Sequence, residues 1–205
     1  MEAELAIRAL NDLSYNFDIH GTHLIADGDS SLYARLRDEL EWSIVKYECT
    51  NHLIKNYKSN LYYAKGTKEL GNILTEAIIN KMCAYTGNVI NQFACKDDRD
   101  EVKMKKLIKH IPYHIFGFHQ NCLEDLCNRE KNNDNKDERL NEKLLRMISD
   151  CANNIIFKAS RVYKDINSNL AESYHGLRVK LDHRKIRNYT PRKFRASVVL
   201  GNISF

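Results

Sequence analysis

The sequence predicts an α/β fold that is predominantly helical, and two observations carry that expectation. Two short β-rich runs, Thr22–Ala26 and Ile44–Cys49, flank a stretch with helical spacing, the pattern of a strand, a helix and a second strand. After Cys49, apolar residues recur three and four apart along most of the chain, as they do in helices that bury one face.

Each element follows from its own residues. Met1 to Phe17 reads as a helix with Ala3, Leu5, Ala6, Ala9 and Leu10 as its apolar stripe, and Asp18-Ile19-His20-Gly21 turns the chain into the first strand. That strand runs into Asp27-Gly28-Asp29, and Ser30 and Ser31 are natural N-caps for a helix marked by Leu32, Leu36 and Leu40. The second strand ends at Cys49, and Asn51-His52 opens a helix that continues through Leu53, Ile54, Tyr57 and Leu61. Lys65 to Phe93 is helical again, with Leu70, Ile73, Leu74, Ala77, Ile78 and Met82 on one face and an interruption expected at Gly87. Lys96 to Lys109 is strongly charged, with Val102, Met104, Leu107 and Ile108 as anchors, and Pro112 is expected to break the run. Arg129 to Asn141 is a polar, low-complexity loop. Leu140, Leu144, Met147, Ile148, Cys151, Ile155 and Ala159 predict the longest amphipathic helix of the chain. Asn167-Ser168-Asn169 reads as a capped loop leading to a helix with Glu172, and Ala196 to Leu200 as a helix end or a short strand.

Composition bounds the function classes. A chain of 205 residues suits one domain, 1–205, with room for a real core. Hydrophobic residues at 43% and charged residues at 29% describe an ordinary soluble protein. No apolar run approaches the length of a membrane span, and the acidic Met1-Glu2-Ala3-Glu4 start does not resemble a signal peptide, so an intracellular protein without a membrane partner is expected. Six scattered cysteines beside eight histidines fit reduced thiols or metal ligands better than a disulfide framework. The net charge of +5 is concentrated near the C-terminal end, where Arg178, Lys180, Arg184, Lys185, Arg187, Arg192, Lys193 and Arg195 face only Asp182. A basic row of this kind suits phosphate backbones, although taken alone it would be read as a solvated surface.

Two constellations could carry chemistry. Asp27 and Asp29 lie at the C-terminal end of a strand, where open α/β sheets gather their sites. Asp29, and even Asp27, could instead cap the following helix, and for Asp29 the cap is the better reading. Cys49-x-x-His52 and His119-x-x-Cys122-x₄-Cys127 offer five donors for a tetrahedral zinc site that needs four. The second group is the stronger, because its three donors sit within one short loop beside a Pro and a Gly. His114 reads as packed in the turn, and Cys83, Cys95 and Cys151 as core residues on helical faces.

Four ordered segments carry a resemblance: Asp27-Gly28-Asp29-Ser30-Ser31; Cys49-Thr50-Asn51-His52-Leu53 with Asn56; His114-Ile115-Phe116-Gly117-Phe118-His119-Gln120-Asn121-Cys122; and Asn169-Leu170-Ala171-Glu172-Ser173. Together they resemble the core of Mutator-like transposases over nearly the whole chain. The resemblance implies the second half of a ribonuclease H-like fold, with a helical, Cys/His-bearing insertion over 65–160. It implies DNA cleavage and strand transfer in DNA transposition, in which three carboxylates hold two Mg²⁺ or Mn²⁺ ions. Asp27 matches the second catalytic Asp and Glu172 the terminal Glu. Asp12 and Asp18 lack the strand context of the first, whose half of the fold would precede Met1, so a fragment inactive alone is expected. DNA as partner, contacts from Arg178, Lys180, Arg184, Lys185 and Arg187, a structural zinc, self-association and a nuclear location complete the expectation. The other readings are a non-catalytic DNA- or protein-binding remnant of a transposable element and a genomic relic without a role.

Overall fold

In a computed structural model, residues 2–26, 31–93, 100–119, 127, 137, 139–162 and 173 are described. Contacts divide the chain into two units, Met1–Ile166 and Asn167–Phe205. All elements that follow lie in the first. In order they are α1 (Glu2–Phe17), β1 (His23–Ala26), α2 (Ser31–Glu39), β2 (Val45–Glu48), α3 (Thr50–Lys65), α4 (Glu76–Phe93), α5 (Glu101–Ile115), α6 (Glu142–Asp150), α7 (Asn153–Lys158) and a single 3₁₀ turn, Ala159–Arg161. The architecture is predominantly helical with one small two-stranded sheet.

The strands are parallel, with His23 opposite Val45 and Ala26 opposite Glu48. Parallel neighbours need a crossover, and α2 supplies it. Leu36 and Leu40 from α2, Ile7 from α1 and Ile44 before β2 form a small core, with Leu10, Leu24, Leu32, Tyr33 and Trp42 packed against it. Trp42 Nε1 donates to the Gly21 carbonyl (2.9 Å), and Tyr33 Oη donates to the Ile44 carbonyl (3.3 Å), so the segments entering both strands are pinned. In α1 the buried residue is Ile7, while Leu5 is exposed. Of the expected stripe, Ala3, Ala6 and Leu10 lie on the inner face beside Ile7, while Leu5 and Ala9 face outward.

A larger core belongs to the helices. Leu53, Tyr57, Leu61 and Ala64 from α3 meet Ile79, Met82, Cys83, Val89 and Ile90 from α4, and Met104, Leu107, Ile108 and Ile111 from α5. Leu140, Leu145, Ile148, Ala152, Ile155 and Ala159 close it from the C-terminal side. Cys83 is a core residue as its pattern predicted, and Cys151 packs against the same cluster.

Four expectations are corrected here. The helix over 65–93 is broken not at Gly87 but across 66–75: Gly66 caps α3, and Thr67 Oγ1 donates back to the Ala64 carbonyl at 2.8 Å. Gly87 lies inside α4, where an added Cβ would meet Ile54 Cδ1 of α3 at 3.4 Å. Packing between the two helices offsets the roughly 1 kcal/mol that glycine costs in a helix interior. Pro112 does not end α5, which continues to Ile115 with Pro112 buried. The ring forgoes one helical hydrogen bond there, and its burial in the core offsets that cost.

The region from Leu140 to Ala159 is not one long helix. It is α6, a turn at Cys151-Ala152, then α7 and the 3₁₀ turn. The buried positions 145, 148, 152, 155, 159 and 162 still step by three and four, so periodicity alone could not reveal the break. The turn is held by reciprocal contacts with α3: Asn60 Nδ2 donates to the Cys151 carbonyl (3.2 Å), and Cys151 Sγ donates to the Asn60 carbonyl (3.7 Å). Finally, Val102 is exposed, and of the four expected anchors of α5 only Met104, Leu107 and Ile108 are buried, joined by Ile111.

Candidate metal centre

The end of α5 carries an ordered change of direction. Gly117 adopts a left-handed backbone, φ 80°, which glycine accepts without the Cβ penalty of other residues. The Gly117 N–H donates to the His114 carbonyl (3.2 Å) and the Phe118 N–H to the Tyr113 carbonyl (2.8 Å), the paired bonds of a Schellman cap. Phe116 is buried and Phe118 packs against the large core, so both flanks of the turn are held by apolar contacts.

This turn folds His119 back toward His114. Their ring centroids are 5.2 Å apart at a near-perpendicular angle, and the Tyr85 ring of α4 lies 5.4 Å from that of His114. Cys127 Sγ is 3.4 Å from His119 Nδ1. One donor atom from each of His114, His119 and Cys127 lies within 4.8 Å of the others. His119 is buried and its two companions half-buried. The Asp137 N–H donates to the Phe116 carbonyl at 3.1 Å, so residues after Cys127 also return to this turn.

Of the five donors expected from sequence, His119 and Cys127 are members of this group. Cys49 and His52 are not: Cys49 is buried at the start of α3, and His52 follows it in the first helical turn. Cys122 lies outside the described residues. His114, which the sequence suggested only as a turn-packing residue, supplies the third donor. Its position in the final turn of α5, followed by Gly117 and His119, is the signal that would have found it.

At the end of β2 is a second charged feature that sequence reasoning missed. Lys46 and Glu48 occupy the buried positions of the strand, while Val45 is exposed. Lys158 Nζ of α7 donates to Glu48 Oε2 at 3.1 Å, and Lys46 Nζ and Arg161 Nη1 each lie 3.9 Å from Glu48 Oε1. One buried carboxylate thus faces three cations. The alternation Lys46-x-Glu48 within an otherwise apolar strand was the available clue, since both residues point to the same face.

Asp27 is the next residue in sequence after the last residue of β1, and it lies outside the described residues. So do Glu172 and the basic series Arg178, Lys180, Arg184, Lys185 and Arg187. No described helix is long and apolar enough to cross a membrane.

A family model described as Mutator-like transposase matches residues 1–128. That span includes every element from α1 to α5 as well as His114, His119 and Cys127, and it exceeds half of the 205-residue chain. No curated protein and no solved structure matches. With more than half of its residues matched, the chain belongs to the Mutator-like transposase family.

Proposed function

We propose that this chain handles DNA as part of a Mutator-like transposase, and that its acidic site takes part in the cleavage and strand transfer of DNA transposition. The observation that carries the reading is the family match over a strand–helix–strand unit whose first strand is followed directly by Asp27. In this reading β1, α2, β2 and α3 are part of a ribonuclease H-like fold, and α4 to α7 belong to the insertion expected over 65–160.

Asp27 and Glu172 are the catalytic carboxylates of the proposal, matched by sequence to the second and third acidic residues of such sites. Their oxygens are the hard donors that Mg²⁺ or Mn²⁺ takes. Such ions, when bound, activate the attacking water or 3′-hydroxyl and stabilise the leaving oxygen. The chain's own part is to hold those ions and to keep the phosphate backbone in place through Arg178, Lys180, Arg184, Lys185 and Arg187. A third carboxylate completes the class, and neither Asp12 nor Asp18 fits it: both lie in or beside α1 rather than on a strand. The proposed place of action is the nucleus, where the DNA is.

The test has two readouts. The purified chain should bind random-sequence duplex DNA at low salt, and it should leave supercoiled plasmid uncut in Mg²⁺ or Mn²⁺. Absence of DNA binding at low salt would overturn the DNA-handling reading. Metal-dependent nicking that disappears in Asp27→Ala would show instead that the chain is catalytically complete, and nicking that survives Asp27→Ala would remove Asp27 from the site.

A further inference from the structure

We propose that His114, His119 and Cys127 bind a zinc ion that fastens Cys127 to the end of α5. The inference does not rest on the DNA-handling reading, and it can fail or hold independently of it.

The donor set selects the metal. Two imidazoles and a thiolate are borderline and soft ligands, which suit Zn²⁺ and fit poorly to Mg²⁺ or Ca²⁺. Geometry agrees. With Zn–N near 2.1 Å and Zn–S near 2.3 Å, a tetrahedral angle separates nitrogen from sulfur by about 3.6 Å. Cys127 Sγ and His119 Nδ1 are 3.4 Å apart. All three donors fall within 4.8 Å of one another, so small side-chain adjustments bring His114 to the same centre.

Chain placement agrees as well. His114 sits on a helix whose core residues Met104, Leu107, Ile108 and Ile111 are fully buried, so its backbone is rigidly held. His119 is positioned by the Schellman cap at Gly117. Two of the three ligands are therefore organised by local structure before any ion binds. Only Cys127 is distant along the chain, and closing that segment is what a metal does efficiently. The simple alternative, a thiol hydrogen bond to imidazole, accounts for the Cys127–His119 contact but does not call for a third donor within the same 4.8 Å.

Because a preformed site binds the ion in the folded state only, zinc should stabilise the fold by linkage. Full-length chain expressed with zinc and purified without chelator should contain about one zinc ion per chain. Stripping it should lower the Tm by roughly 5–10 °C, and zinc should restore it. Cobalt substitution should give the intense visible bands of a tetrahedral site together with a thiolate-to-metal charge-transfer band. His114→Ala should weaken zinc binding by more than the roughly 10–100-fold lost when only an outer partner is removed. Should that variant or Cys127→Ser fail to fold, wild-type protein still decides the matter: zinc should shield Cys127, identified by peptide mapping, from alkylation. A folded wild-type chain with neither zinc nor a cobalt spectrum overturns the proposal. So does unchanged zinc affinity in folded His114→Ala, or a Cys127 alkylated equally fast with and without zinc.

Discussion

Lys158 Nζ donates to Glu48 Oε2 at 3.1 Å, joining two residues 110 positions apart. The contact ties α7 to the last residue of β2, so the final helical turn of the large core is anchored on the small sheet. Glu48 is buried and Lys158 nearly so, and Lys46 is buried beside them. Removing the carboxylate would take from Lys46, Lys158 and Arg161 the one anion that they share. Breaking a buried ion pair from one side costs about 3–5 kcal/mol. Glu48→Gln should therefore lose about that much stability in urea unfolding at neutral pH. A loss under about 0.5 kcal/mol would mean that water reaches the cluster.

The turn at Gly117 gives a second prediction. An L side chain in the left-handed conformation costs roughly 1–2 kcal/mol, so Gly117→Ala should destabilise by about that amount. If the turn also positions His119, the variant should bind zinc more weakly than its stability loss alone explains. Equal zinc affinity in the folded variant would separate the turn from the metal site.

Tyr57 supplies a pH prediction. It is only 1% exposed, and burial, followed by the nearby Cys83 and Cys151 thiols, raises its phenol pKa well above the ordinary 10.0. The unfolded chain releases that proton near pH 10 while the folded chain keeps it. Stability from this group is thus fully present below pH 10 and is lost as pH rises towards the folded value. The loss should be about 1.4 kcal/mol per pH unit. Tyr57→Phe cannot ionise there, so its stability relative to wild type should rise by that slope above pH 10. Parallel stability curves for the two proteins would show that Tyr57 ionises freely in the fold.

For the proposed DNA contacts, changing Arg184, Lys185 and Arg187 together to Ser should weaken binding to all duplex sequences alike. Each lost phosphate contact should reduce the slope of log K against log salt by about 1. Fluorescence anisotropy at several salt concentrations measures both. Unchanged affinity and slope would place the DNA path elsewhere.

Within the described residues, the sequence by itself determined the two strands, most of the helical stretches and most of the core. Leu36, Leu53, Tyr57, Leu61, Met104, Leu107 and Ile108 were all legible, because apolar spacing reports burial wherever one face of an element packs. The ordered motifs around Asp27, Cys49, His52 and His119 were legible as a family likeness. Helix ends were not. Gly87 and Pro112 looked like breaks but are absorbed by packing, while the real break at Cys151-Ala152 preserves the three-and-four spacing of buried positions, and the one across 66–75 carries Leu70, Ile73 and Leu74 at helix-like spacing. Charge inside β2 was hidden for a different reason. Lys46 and Glu48 become a buried cluster only because α7 and the following turn bring Lys158 and Arg161 across from the far end of the unit. The meeting of His114 with His119 and Cys127 was likewise decided by tertiary structure. Local pattern records which face of a helix is buried, but only the folded backbone, turned at Gly117, determines which side chains from different segments share a point in space.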